Sequence, residues 1–140
     1  MKLSGRKKGF TILELLIVVA IIGILTAATL VLLSDTRARG RDAKRLSDMR
    51  EIEKALNLYY SSNQNFPISA ATTTLSGIDD VSTVLENAGF ISQLPSDPHH
   101  PTLFYQYVTD AGGTEFTLTF CLETDTIQTF GQGCDNTITP

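Results

Sequence analysis

Gly9-Phe10-Thr11-Ile12-Leu13-Glu14-Leu15-Leu16-Ile17-Val18-Val19-Ala20-Ile21-Ile22-Gly23-Ile24-Leu25 decides the fold, because it opens an apolar run that reaches Leu33. From Phe10 to Leu33 the 24 residues carry one charge, Glu14. As an α-helix rising about 1.5 Å per residue they span roughly 36 Å, enough to cross a hydrocarbon core of about 30 Å. A soluble core helix of ordinary length needs no apolar run so long, so the segment reads as a transmembrane helix. A secretory signal is the rival, but its apolar region is usually about 7–15 residues. No A-x-A site with a polar break follows either, since Ala27-Ala28 leads into the still apolar Thr29–Leu33. Nor does a signal call for a carboxylate inside the run, which costs about 2.5–3.5 kcal/mol at mid-helix.

Glu14 therefore needs a partner or a way out. The plain reading places it near one end of the span, reaching to the headgroups. The functional reading gives it a cation, as intramembrane acids usually have. No Lys or Arg lies in the apolar run. A cut after Gly9 would create one, the α-amine of Phe10, at about the same depth. Along a rigid helix that amine does not easily meet its own Glu14, whereas a neighbouring molecule's amine can. A charge that needs a second copy points to oligomerisation.

Outward from this run the charges separate into three regions, although the averages are bland, with 19% charged residues, mean hydropathy +0.05 and net charge −4. Residues 1–9 hold Lys2, Arg6, Lys7 and Lys8 and no acid. The other seven basic residues lie between Arg37 and Lys54, interleaved with Asp42, Asp48, Glu51 and Glu53. Residues 55–140 contain nine acids and no Lys or Arg. Such a domain repels phosphate, which disfavours direct DNA binding. The basic stretch 37–54 either contacts phosphate or lipid headgroups or, on the plainer reading, solvates a helix face through its interleaved acids.

The helix is expected to continue past Leu33 as an amphipathic extension over 34–62. Leu46, Met49, Ile52, Leu56, Tyr59 and Tyr60 recur at three- and four-residue steps, with Arg45, Asp48, Arg50, Glu51 and Lys54 on the opposite face. Gly40 costs about 1 kcal/mol against Ala and is tolerable. Ser61-Ser62-Asn63-Gln64-Asn65 and Pro67 then end the pattern. Residues 63–140 read as a small α/β head. Residues 68–77 are expected to be loop, and Asp79-Asp80 caps a short helix carrying Val81, Val84, Leu85 and Ala88, closed by Gly89. Leu103–Thr109 and Glu115–Glu123 form a hairpin across Asp110-Ala111-Gly112-Gly113-Thr114, and Thr126–Phe130 is the expected third strand. The fold class is α+β, one long helix packed against a small antiparallel sheet.

The segment from Gly9 to Leu25 resembles the N-terminus of type IV prepilins and type II secretion pseudopilins: Gly, Phe, four residues to Glu, then an unbroken apolar helix. The resemblance implies the pilin fold, a leader (1–9) removed by prepilin peptidase after Gly9, N-methylation of Phe10, and a role for Glu14 in registering each incoming subunit. It implies as partners other copies of the chain and related pilins, the membrane platform protein of the assembly machine, and the lipid bilayer. Ile12-Leu13 inverts the commoner Leu-Ile order, and Val31 stands where many members have a helix-bending proline. Charge alone leaves membrane direction undecided, five basic residues (Arg37, Arg39, Arg41, Lys44, Arg45) against four. The resemblance implies a single pass with the C-terminal part outside the bacterial cytoplasmic membrane.

Gly-Phe-Ile, Leu-Pro, Asp-Pro and Tyr-x-Tyr between Gly89 and Tyr107 look like the same region of major pseudopilins. His99-His100-Pro101-Thr102 departs from the aromatic-Gly-Asn turn of that group, and its calcium-binding loop is not recognisable. Cys121 and Cys134 either close a disulfide loop, which fits an oxidising compartment, or stay as free buried thiols. Two Cys are too few for a four-ligand zinc site, and adjacent His99 and His100 rarely converge on one metal, so no metal or cofactor is expected. No nucleophile–base–orienter set or phosphate loop argues for an enzyme. A structural filament subunit is the leading expectation, with a minor pilin or membrane-anchored tip adhesion or binding module as the alternative.

Overall fold

The computed structural model describes residues 9–69 and 71–140. The basic leader residues 1–8 lie outside the described residues. The long helix, α1, runs over Ile12–Asn63, 52 residues without a break at Gly40 or at position 31. Two compact units divide between Arg37 and Ala38.

In the first unit α1 exposes its apolar side chains, from Ile12 at 86% to Ile24 at 72%. It is long and apolar enough to cross a membrane. Two of its hydroxyls are closed within the helix, as suits a helix in lipid. Thr26 Oγ1 donates to the Ile22 carbonyl at 2.7 Å and Thr29 Oγ1 to the Leu25 carbonyl at 2.5 Å. Backbone carbonyls four residues back thus take both hydroxyls.

In the second unit Met49, Ile52, Ala55 and Leu56 are buried, as the amphipathic period requires. α1 ends where Gln64 turns into the left-handed region at φ 63° and donates its N–H to the Tyr60 carbonyl at 2.8 Å. Ser61, Ser62 and Asn63 each donate to a carbonyl four residues back, closing the last turn. β1 (Thr73–Leu75), β2 (Tyr105–Thr109), β3 (Phe116–Leu122) and β4 (Gly133–Ile138) form one antiparallel sheet in sequential order. Two elements correct the sequence reading. The 68–77 stretch contains an edge strand, Thr73–Leu75, and the last strand is Gly133–Ile138 rather than Thr126–Phe130.

Along β3, Phe116, Leu118 and Phe120 are buried while Thr117 and Thr119 are half-exposed, the alternation of a one-sided sheet. A bulge between Phe120 and Leu122 then resets the register, so Cys121 and Leu122 are both buried. Phe116, Leu118, Phe120 and Leu122 join Tyr105, Tyr107, Phe66 and the helix residues in one core. Each large apolar side chain so buried is worth about 1.5–3 kcal/mol. Between β1 and β2, α2 (Asp80–Asn87) contributes Val81 and Leu85. Its N-cap is Asp79, whose Oδ1 accepts from Ser82 N at 2.9 Å. Past its end, Gly89 adopts φ 75°.

The β2–β3 turn carries a glycine that no other residue replaces cheaply. Asp110 accepts from the N–H groups of Gly112, Thr114 and Glu115, folding the loop over. Gly113 sits at φ 66°, and a Cβ there would lie 2.9 Å from the Phe66 carbonyl oxygen. Phe66 N donates in turn to the Gly113 carbonyl at 2.7 Å, tying the turn to the chain that leaves α1.

Candidate functional site

At its N-terminal end α1 places Glu14 in the first turn. Thr11 is the residue before the helix, and Glu14 stands three positions on, the spacing of a capping box. Glu14 Oε2 accepts from Thr11 N at 2.9 Å and from Thr11 Oγ1 at 2.9 Å. Glu14 N donates back to Thr11 Oγ1 at 3.2 Å. The carboxylate thus sits at the positive end of the helix and meets donors that the helix leaves open. Among the described residues its other oxygen, Oε1, makes no hydrogen bond. Gly9 and Phe10 precede the helix and are exposed, Phe10 at 85%. The sequence reading weighed headgroups and a neighbour's amine for Glu14 and overlooked the Thr11-x-x-Glu14 signature, which is legible in the sequence.

The second polar constellation lies within Ala38–Pro140 and corrects a charge assignment. Arg45 and Asp48 were expected on a solvated face, yet Arg45 and Asp42 are 0% exposed and Asp48 is 4% exposed. Arg45 Nε and Nη2 donate to both oxygens of Asp97, at 2.7 and 3.1 Å, a bidentate fork. Arg45 Nη1 donates to Asp42 at 2.8 Å and to Glu123 at 2.6 Å. Arg41 reaches the same Glu123 through Nε at 2.8 Å and Nη2 at 2.5 Å. Asp42 also accepts the backbone N–H groups of Glu123 and Thr124, at 2.9 and 2.8 Å. Lys44 pairs with Asp48, which accepts from the Tyr105 hydroxyl at 2.9 Å.

Among the described residues no buried side-chain polar atom is left without a partner. The hydrogen bond from Arg41 holds the Glu123 carboxyl down to about 2 against the effect of burial, with Arg45 adding to it. Burial alone would lower Arg45, but the hydrogen bonds to Asp97 and Glu123 outweigh it and keep the guanidinium charged. The cluster clamps α1 to the Asp97 turn and to the chain after β3. Arg45 and Asp42 are sealed from solvent, while Arg41 and Glu123 are partly exposed.

Cys121 and Cys134 are joined in a disulfide that ties β3 to β4 beside the bulge. His99 Nδ1 lies 3.6 Å from Glu123. His100 is exposed and precedes Pro101 across a cis peptide. Among the described residues no three His, Cys, Asp or Glu side chains gather as metal ligands would.

Comparison with known proteins adds two kinds of sequence likeness. The family model of the prokaryotic N-terminal methylation motif matches residues 4–30. The type II secretion system core protein G of Escherichia coli (strain K12) is 28% identical over 107 residues, covering 70% of this chain and 70% of that one. The protein of the same name from Aeromonas hydrophila is 30% identical over 102 residues, covering 66% and 68%. That from Vibrio cholerae serotype O1 is 31% identical over 106 residues, covering 70% and 69%. No solved structure matches the chain.

Proposed function

From the premise that this chain belongs to the family of type II secretion system core protein G, we propose that it is a processed pseudopilin, a filament subunit assembled out of the membrane. Prepilin peptidase removes residues 1–9 by cutting after Gly9, and Phe10 becomes the methylated first residue of the subunit. The apolar helix holds the subunit in the cytoplasmic membrane in a single pass, with the head outside. A membrane platform protein then guides it into a filament of like subunits, packed through their helices.

The observation that carries this reading is Glu14, a carboxylate among exposed apolar side chains with one oxygen in its own helix cap and the other open. Cleavage supplies the cation, since the new amine on Phe10 lies one residue from the cap. A neighbour's amine can take the open oxygen without undoing the Thr11 hydrogen bonds. Apolar burial between helices then drives association, while the charge pair fixes which helices align.

Glu14→Ala in cells carrying the assembly machine separates these roles. Insertion and cleavage should persist, and filament sheared from the cells should be lost. Normal filaments from that variant would refute the register role. Mass spectrometry of the protein taken from its native membrane tests processing independently, with methylated Phe10 as the expected first residue.

A further inference from the structure

Within Ala38–Pro140 the basic side chains all lie on α1, none later than Lys54, whereas carboxylates are spread over the rest of the unit. Three of those cations are paired within the unit. Arg41 and Arg45 are held by Glu123, Asp42 and Asp97, and Lys44 by Asp48. Arg50 and Lys54 differ. Both are exposed, and neither joins an ion pair among the described residues. Four positions apart, they share one face of the helix, continued by exposed Ser47, Asn57 and Ser61. Across the head, Asp80, Glu115, Asp125 and Asp135 are exposed and likewise form no ion pair among the described residues.

We propose that this outward face of α1 docks onto the acidic surface of a second copy of the chain, with Arg50 and Lys54 pairing with its exposed carboxylates. The inference rests on the filament reading and deepens it by naming the surface through which heads meet. Identical acidic heads brought side by side repel one another unless a cation stands between them. Arg50 and Lys54 are placed to be that cation, because the head beyond Lys54 has none of its own. A phosphate-rich partner fits less well, since Glu51 and Glu53 flank the two cations and the head is acidic throughout. One exposed pair is weak, but the contact recurs at every subunit of a filament, so its loss is multiplied.

The test uses the full chain in cells with the assembly machine, reading sheared filament mass. Disulfide formation and protease resistance of the membrane-held subunit serve as fold controls. R50E/K54E should lower filament yield roughly fivefold or more. Adding one of D80K, E115K, D125K or D135K should restore it. Wild-type yield from R50E/K54E, or a loss that no reversal restores, overturns the proposal. If R50E/K54E fails the fold controls, the milder R50Q/K54Q decides. Its filaments should resist salt differently from wild type, and an unchanged salt dependence overturns the proposal. Glu14→Ala runs beside these chains. Filaments from that variant would sink the register reading, while filaments from R50E/K54E with none from Glu14→Ala would sink only this surface.

Discussion

Glu14 and Arg45 lie on the same helix and meet opposite surroundings. Around Glu14 the apolar side chains are exposed, and the carboxylate's hydrogen bonds all return to Thr11, three residues away. Arg45 is fully buried, and its partners come from 3, 52 and 78 residues away in sequence. The second unit pairs its buried charges and packs an apolar core of its own. The first leaves its apolar side chains exposed and, among the described residues, one Glu14 carboxylate oxygen without a hydrogen bond.

The contrast breaks most readily at Arg45. Arg45→Ala leaves Asp42 and Asp97 buried without their cation and should cost the head about 3–5 kcal/mol. Chemical denaturation of the full chain in detergent, followed by tyrosine signal, reads it, and wild-type stability would mean that the cluster is ornamental. Replacing both Cys121 and Cys134 by Ser should cost about 3 kcal/mol on the chain-entropy account of a loop this short. The same melt measures it, while helicity of the first unit should stay unchanged.

Acid sharpens the comparison further. Because Arg41 and Arg45 depress the Glu123 carboxyl from its ordinary 4.5 to about 2, the pairing stabilises the head above about pH 4.5. That contribution is lost as pH falls toward about 2. Partial exposure limits it to on the order of 1 kcal/mol. Thermal melts across that window should slope downward, and Glu123→Gln should flatten the slope. The smallest effect falls at Thr11. Thr11→Ala removes the cap and should loosen the start of α1 by about 0.5–1 kcal/mol. Amide exchange at residues 12–15 reads this, with Thr11→Ser close to wild type and the head's melt unmoved.

How much was legible follows the same division. α1 was readable nearly to its ends because its signals are local: an apolar run, a stripe at helical spacing, then Ser-Ser-Asn-Gln-Asn. The β2–β3 hairpin announced itself through Asp110 and its glycines. β4 did not, because Gly-Cys-Asp-Asn-Thr-Ile has weak strand preference and is held by pairing with β3 and by the disulfide. Thr126–Phe130 is richer in strand formers, yet Ile127 and Phe130 pack on the core from a loop. The three-residue β1 is too short for any alternation to show. Arg45 looked like a surface charge since Asp97 and Glu123, its distant partners, are supplied only by the fold. At the N-terminal end, the Thr11 capping box was spelled out in the sequence but eclipsed by the search for a cation to meet Glu14.

Gly113 has a practical bearing on labelling. A solvent-exposed hairpin tip is ordinarily where an epitope or a fluorophore-binding tag is inserted, since surface loops absorb extra residues. Here the tip is fastened to Phe66 by a 2.7 Å hydrogen bond, with no room for a side chain at Gly113. An insertion between Ala111 and Thr114 would push on the exit of the long helix, so a reporter placed there would disturb the head it was meant to follow.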